Sequence, residues 1–241
     1  MIRRSIQHAD EEPWVPCAYG SRLLYSAGKL DFHYLAIEGP IGLGKTALAE
    51  RLAARLDATV VLDESENPFL ADFYAERGGA AFQTQLFFTL ARHRQLLNLR
   101  QRELFAQTTV CDYVFERDRI YAFMNLDDNE LFIYQRLYDL VARDLPTPDV
   151  VIYLQAPTEA VQKRVKEIGK RAAEPVALPS DDYLAELNEA YNHFFFHYTA
   201  TPLLVVETSQ IDLSWGDDSI DELLRQLKTL THGTRYFVPR T

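Results

Sequence analysis

The sequence predicts an α/β fold in which a five-stranded parallel sheet carries helices on both faces. Short apolar runs alternate with longer segments whose apolar residues recur at helical spacing, which is typical of parallel strands joined by helical crossovers. The first run ends in a glycine-rich turn that leads directly into a helical pattern, as a phosphate-binding loop does. A chain of 241 residues, 47% of them apolar and 25% charged, is long enough for one sizeable core.

Five apolar runs predict the strands. In chain order they read "FHYLAIEG", "ATVVLDE", "QTTVCDY", "PDVVIYLQA" and "TPLLVVETS". Helical spacing follows in "KTALAERLAARL" and around residues 82–105, 128–143, 158–169 and 181–198. The first 30 residues show no clear period, so we expect an extension without an assigned role at 1–30 and one folded domain at 31–241.

Composition argues against several classes of protein. The formal net charge of −10 disfavours a nucleic-acid partner, because duplex binding usually needs a net basic face. Cys17 and Cys111 lie far apart without metal-ligand spacing, which indicates neither a disulfide scaffold nor a zinc site. Neither a secretory leader nor a membrane span is visible in the sequence. We expect a cytoplasmic protein without a membrane or nucleic-acid partner.

The turn "GPIGLGKT" matches the spacing of a phosphate-binding loop. Backbone amides of such a loop surround a phosphate at a helix N-terminus, its lysine reaches the outer phosphates, and its hydroxyl binds Mg²⁺. The predicted phosphate-binding residues are Gly39, Pro40, Ile41, Gly42, Leu43, Gly44, Lys45 and Thr46. Asp112 follows the third predicted strand and is expected to hold the magnesium together with Thr46.

A second basic cluster lies in "KRVKEIGKRAAE". It contains Arg164, Lys166, Lys170 and Arg171 within eight residues. Transfer of a phosphoryl group requires charge neutralisation, and a closing lid that carries arginine can supply it. We therefore expect Arg164 and Lys170 to contact the donor phosphates and Arg171 to act in catalysis.

Several motifs in a fixed order resemble the deoxynucleoside kinase family, and in particular bacterial deoxyadenosine, deoxyguanosine and deoxycytidine kinases. They are "EGPIGLGKT", "LDESENPFLADFY", "FQTQLFFTLARHR", "CDYVFERDRIYA", "GKRAAE" and "DDYLAELNEAYNHFF". The resemblance runs from about Phe32 to about Ser209. It implies a P-loop kinase fold with an arginine-bearing lid, ATP and Mg²⁺, a deoxynucleoside substrate, and a possible homodimer.

The resemblance also implies which residues bind the acceptor. A carboxylate after the second strand takes the proton of the sugar 5'-hydroxyl, and either Asp63 or Glu64 fits that role. A tyrosine and a lid glutamate contact the 3'-hydroxyl. A glutamine, an arginine and an aspartate contact the base. The implied residues are Tyr74 and Glu174 for the sugar and Gln85, Arg92 and Asp118 for the base, with Gln83 as the alternative glutamine.

Gln85 and Arg92 are seven residues apart, so on one helix they point to the same side, whereas Gln83 lies about 200° around the helix from Gln85. The sequence departs from the family at Tyr113, where many members have an arginine after the magnesium-side acid. Arg117 and Arg119 are the two candidates to supply that charge.

Two other functions compete with this interpretation. A thymidylate-type nucleoside monophosphate kinase shares the fold and loop, but it needs extra arginines for a phosphorylated acceptor. A catalytically silent nucleotide-binding scaffold would keep the fold without the chemistry.

Overall fold

A parallel sheet forms the centre of the molecule. The structure is a computed structural model that describes residues 32–63, 66–102, 108–171, 178–211 and 213–239. The strands are β1 (Tyr34–Glu38), β2 (Thr59–Val61), β3 (Thr109–Cys111), β4 (Val150–Gln155), β5 (Leu203–Glu207) and β6 (Thr234–Phe237). They are hydrogen-bonded in the order β2-β3-β1-β4-β5-β6, and each pairing is parallel.

Helices connect the strands and cover the sheet. They are α1 (Lys45–Leu56), α2 (Leu70–Tyr74), α3 (Ala80–Arg102), α4 (Arg117–Asn125), α5 (Asp128–Val141), α6 (Thr158–Arg171), α7 (Asp181–Phe196) and α8 (Asp217–Lys228), with a 3₁₀ turn at Ala142–Asp144. The helices predicted from residues 45, 82, 128, 158 and 181 begin within two residues of the observed starts of α1, α3, α5, α6 and α7. None of the helices in the described part of the chain is long and apolar enough to cross a membrane.

Two hydrophobic cores lie on opposite faces of the sheet. Alternate residues of β1 enter different cores, because successive side chains of a strand point to opposite faces. Tyr34 and Ala36 pack in the core with α4 and α7, whereas Leu35 and Ile37 pack in the core with α1 and α8. Coverage on both faces explains why the central strands read as unbroken apolar runs.

The predicted strand count of five was one too low. The missed strand, β6, is only four residues long and lies at the edge of the sheet. Its side chains alternate between exposed and half-buried, so its sequence "TRYF" lacks the continuous apolar run that identified the other strands. The α/β prediction, with a parallel sheet covered on both faces, is confirmed.

Strand order determines where the functional residues meet. β1 lies between β3 and β4, and β3 lies between β1 and β2. Cys111 is the register partner of both Ala36 and Val61, so the segments after β1, β2 and β3 leave the sheet side by side. In a parallel sheet these carboxyl ends are where ligands bind.

Candidate functional site

The loop after β1 has the geometry of a phosphate cradle. Gly42 and Gly44 have φ angles of 85° and 74°, which glycine adopts without strain. Gly39, at φ 154°, lies so close to β4 that an added Cβ would be 2.6 Å from the Leu154 carbonyl oxygen. α1 begins directly after the loop at Lys45, so its free backbone amides point at the position of a bound anion.

Lys45 closes this loop on itself. Its Nζ donates hydrogen bonds to the carbonyl oxygens of Gly39, at 2.7 Å, and Pro40, at 3.1 Å. Burial lowers the pKa of Lys45 to about 8, although Glu38 acts in the opposite direction. The ammonium is therefore held among loop carbonyls and lies next to the space where donor phosphates would bind.

Thr46 and Asp112, the two predicted magnesium ligands, are in hydrogen-bond contact. The Thr46 hydroxyl donates to Asp112 Oδ2 at 2.6 Å, and the other carboxylate oxygen of Asp112 accepts from the backbone N–H of Asp63 at 2.7 Å. Asp112 is buried, so these bonds fix its orientation. A hydroxyl and a carboxylate at the end of a phosphate loop fit Mg²⁺, which prefers few protein oxygens together with phosphate and water ligands.

Asp63 is bound by two arginines. Arg92 donates from Nε to Oδ1 at 3.0 Å and from Nη2 to Oδ2 at 2.9 Å, and Arg117 donates from Nη1 to Oδ2 at 3.1 Å. Burial alone would raise the pKa of Asp63, but Arg117 and Arg92 together lower it to about 2. Asp63 is thus an ionised carboxylate that joins the end of β2 to α3 and α4.

Arg92 also binds Asp118, and this buried pair lies next to Gln85. Arg92 Nη1 donates to Asp118 Oδ1, and Gln85 Nε2 donates to the Asp118 carbonyl oxygen at 2.9 Å. All three side chains are buried, and Gln85 and Arg92 point to the same side of α3, as their seven-residue spacing predicts. Burial raises the pKa of Asp118, and Arg92 opposes that change. Gln83, the alternative glutamine, is exposed, so the structure places it away from these contacts.

Glu38 of this centre was not assigned a role from the sequence, whereas Arg117 was one of the two candidates to supply the charge missing at Tyr113. Glu38 is fully buried and accepts hydrogen bonds from the Gly39 N–H (2.9 Å), the Val114 N–H (3.0 Å) and the Tyr191 hydroxyl (3.2 Å). Its signal was a carboxylate inside an apolar strand, immediately before the glycine-rich loop. Arg117 is buried at the start of α4.

Tyr113 supports the segment before Asp63. Its hydroxyl donates to Gln95 Oε1 at 2.6 Å, and Gln95 Nε2 donates to the Leu62 carbonyl oxygen at 2.7 Å. Its side chain is buried, and its ring centroid lies 5.8 Å from the Arg92 guanidinium carbon. Tyr113 therefore links β3, α3 and the end of β2 through uncharged contacts.

The predicted lid residues on α6 make other contacts. Arg164 donates to the hydroxyl oxygen of Thr208, at 3.2 Å, and to its carbonyl oxygen, and Lys166 pairs with Asp181 at 2.6 Å. Lys170 and Arg171 are exposed at the end of the helix. α6 still packs on the loop, since an added Cβ at Gly42 would lie 3.3 Å from Val165 Cγ2.

The remaining predicted residues are partly outside the described structure. Tyr74 ends α2 and is half-buried; burial raises its pKa, and Tyr121 raises it further. Glu64, Glu174 and the extension at 1–30 lie outside the described residues.

Comparisons with known proteins agree on one family. A family model described as deoxynucleoside kinase matches residues 35–232. Deoxyguanosine kinase of Bacillus subtilis (strain 168) is 33% identical over 139 residues, which cover 57% of this chain and 67% of that protein. Deoxyadenosine/deoxycytidine kinase of the same organism is 26% identical over 209 residues, covering 82% and 93% of the two chains.

A solved structure supports the same fold. Deoxyadenosine kinase from M. mycoides, with the products dCMP and a flexible dCDP bound, superposes with a TM-score of 0.66 at 24% identity, covering 81% of this chain and 99% of that one. At this identity the likeness bears on the fold. The family-model match over residues 35–232 and the kinase from Bacillus subtilis that is 33% identical mean that this chain is an enzyme, a kinase, and belongs to the deoxynucleoside kinase family.

Proposed function

We propose that the protein transfers the γ-phosphoryl group of ATP to the 5'-hydroxyl of deoxyadenosine, deoxyguanosine or deoxycytidine. The names of its relatives support this substrate class, since they include deoxyguanosine kinase and deoxyadenosine/deoxycytidine kinase. The observation that carries the proposal is the position of Asp63. Its backbone N–H binds Asp112, and its carboxylate binds Arg92, which in turn binds Asp118.

On the donor side, loop residues Gly39 to Thr46 bind the phosphates and Lys45 moves from the loop carbonyls to the outer phosphate oxygens. Thr46 and Asp112 hold Mg²⁺, which, when bound, neutralises charge on the phosphates. Arg171, Lys170 and Arg164 of α6 belong to the same donor side. The closeness of Val165 to Gly42 supports the coupling of α6 and the loop.

On the acceptor side, Gln85, Arg92 and Asp118 contact the base, and Tyr74 and Glu174 contact the 3'-hydroxyl. Asp63 accepts the proton of the 5'-hydroxyl. A carboxylate with a pKa near 2 is a weak base, but phosphoryl transfer proceeds through a loose transition state and depends mainly on positioning. The low pKa keeps Asp63 ionised throughout the neutral range.

The arginines of this site favour a nucleoside over a nucleotide acceptor. Arg92 is paired with Asp63 and Asp118, and Arg117 is paired with Asp63 and lies near Glu38. These carboxylates neutralise the positive charge that would be needed to bind the phosphate of a nucleoside monophosphate acceptor. The arrangement therefore opposes the thymidylate-type alternative.

The test supplies ATP, Mg²⁺ and one acceptor at a time to the purified chain and measures ADP release and the monophosphate formed. The acceptors are the four deoxynucleosides and thymidylate. We expect turnover with at least one of deoxyadenosine, deoxyguanosine and deoxycytidine. Turnover confined to thymidylate, or binding of ATP without transfer to any acceptor, would contradict the proposal.

Two matched pairs of variants assign the residues. Asp63→Asn should lower kcat by about 100-fold or more because a proton acceptor is lost, while Glu64→Gln should have a small effect. The reverse outcome would identify Glu64 as the base.

Gln85→Ala should raise the KM of the nucleoside, whereas Gln83→Ala, on the exposed side of α3, should leave it unchanged.

A further inference from the structure

Arg117 has unusual surroundings for a buried arginine. It is 8% exposed, and buried arginines are normally held by several hydrogen bonds. Nη1 donates to Asp63, and Nε lies 3.8 Å from Glu38 Oε2, too far for a hydrogen bond. Within the described ranges, Nε has no hydrogen-bond partner. The guanidinium thus retains donor capacity inside the site.

Its two carboxylate neighbours belong to the transfer centre. Glu38 binds the first amide of the phosphate loop, and Asp63 binds Asp112 through its backbone. Arg117 also acts on Lys45, since its charge contributes to the lowered pKa of that lysine. Burial would lower the pKa of Arg117, but Glu38, Tyr191 and Asp63 raise it, so the side chain stays protonated.

The guanidinium carbon of Arg117 lies 5.7 Å from the Tyr121 ring centroid, and the other arginines near the site make contacts of their own. Three nitrogens of Arg92 donate hydrogen bonds to the carboxylates of Asp63 and Asp118. Arg119, two residues after Arg117, lies over the Tyr138 ring, with its guanidinium carbon 5.1 Å from the ring centroid. Tyr113, at the position where the sequence comparison expected an arginine, contributes a neutral hydroxyl bonded to Gln95.

We infer that Arg117 is the arginine that contacts the migrating phosphoryl group, an inference that rests on the proposed kinase function. The nucleoside 5'-oxygen bonds to the γ-phosphorus, the bond from that phosphorus to the bridging oxygen breaks, and ADP leaves with the electron pair. The hydroxyl proton goes to Asp63. Nε of Arg117, which has no hydrogen-bond partner among the described residues, supplies a donor to the phosphoryl oxygens as charge moves onto them.

Arg117→Gln should lower kcat by about 100-fold or more, as expected for loss of a charged donor to the transition state. The dissociation constant of ADP should change much less, because Lys45 and the loop amides hold the resting phosphates. Arg117→Lys should recover part of the lost kcat, since it keeps the charge but lacks the planar fork. Added guanidinium ion should partly restore turnover to Arg117→Ala.

Arg119→Gln is the matched control on the same helix, and it should keep the wild-type kcat. A folded Arg117→Gln enzyme with wild-type kcat would overturn the inference, and so would loss of kcat in both the Arg117 and the Arg119 variant. If Arg117→Gln does not fold, wild-type kcat in a folded Arg117→Ala enzyme without added guanidinium would overturn it as well. Failure of the wild-type enzyme to phosphorylate any nucleoside would instead contradict the proposed function.

Discussion

At the scale of single residues, the site consists of paired charges, and each member fixes the ionisation or the position of its partner. Asp63 is kept ionised by Arg92 and Arg117, and Arg92 is kept in place by Asp118. Removing one member of such a buried pair leaves the other charge uncompensated, at a cost of about 3–5 kcal/mol. Substitutions of these residues will therefore lower the free energy of unfolding as well as the rate of catalysis. The free energy of unfolding of each variant must be measured together with its kinetics.

Lys45 should make donor binding depend on pH. Its pKa of about 8 in the free enzyme means that the ammonium loses its proton as the pH rises through that value. The dissociation constant of ADP should therefore increase by about tenfold between about pH 7 and pH 9. Isothermal titration calorimetry at the two pH values would measure it.

Lys45→Arg provides the control for this pH dependence, because a guanidinium stays charged over the whole range. Its dissociation constant for ADP should vary little between the two pH values. An equal pH dependence in the wild type and in Lys45→Arg would show that another group is responsible.

At the scale of elements, the phosphate loop is held from three sides. β4 lies against Gly39, α6 against Gly42, and the segment before α8 against Gly44, where an added Cβ would be 3.1 Å from Leu213 Cβ. Arg51 of α1 also holds that segment in place, because its Nε donates a hydrogen bond to the Trp215 carbonyl oxygen at 3.0 Å. The cradle is thus shaped by packing before a nucleotide binds, and this preorganisation lowers the ordering cost of binding.

Gly39→Ala should disrupt this packing. The new methyl group would meet the rigid Leu154 backbone at 2.6 Å, so we expect a loss of about 1–3 kcal/mol in the free energy of unfolding. Binding of ADP should also weaken, because the loop must shift away from β4. Urea unfolding and titration with ADP would measure the two effects.

Gly78→Ala is the matched control for that substitution. Gly78 is exposed, and an added Cβ there meets no atom within 4 Å. Its free energy of unfolding should stay within about 0.5 kcal/mol of the wild-type value. Equal losses in the two variants would mean that contact with β4 does not shape the cradle.

At the scale of the whole molecule, the sheet brings distant parts of the sequence to one edge. The loop after β1, Asp63 after β2 and Asp112 after β3 become neighbours through strand order alone. α3 and α4 then cover them with Arg92 and Arg117. The described site therefore draws on residues from Glu38 onward, within the range 35–232 that the family model matches.

A chain limited to residues 32–241 should therefore keep its activity. We expect kcat and KM within about threefold of the full chain, as for truncation outside a domain that carries its own core. Steady-state kinetics of the two proteins would measure this. The truncated protein should also unfold cooperatively, with the same urea midpoint as the full chain. If it does so but has lost kcat, residues 1–31 take part in catalysis.

Helices α2, α4 and α8 and strand β6 were not predicted from the sequence, although α8 places Ile220, Leu223, Leu224 and Leu227 at helical spacing. α4 begins with Arg117 and Asp118, both buried, so its charged residues conceal the helical period. β6 lies at an edge and has no apolar run. Such departures from local rules are expected where a residue serves the site or where an element is half-exposed.

By itself, the sequence determined the α/β alternation, the phosphate loop, the candidate acids and bases, and the resemblance to deoxynucleoside kinases. These depend on periodicity and fixed spacing, which are properties of neighbouring residues. Tertiary structure decided that Gln85 is buried beside Asp118 while Gln83 is exposed, that Asp63 is shared by two arginines, and that Arg117 is buried near Glu38 and Asp63. The hydrogen bonds among these contacts join residues 29 to 54 positions apart, and only strand order and helix packing determine which of them meet.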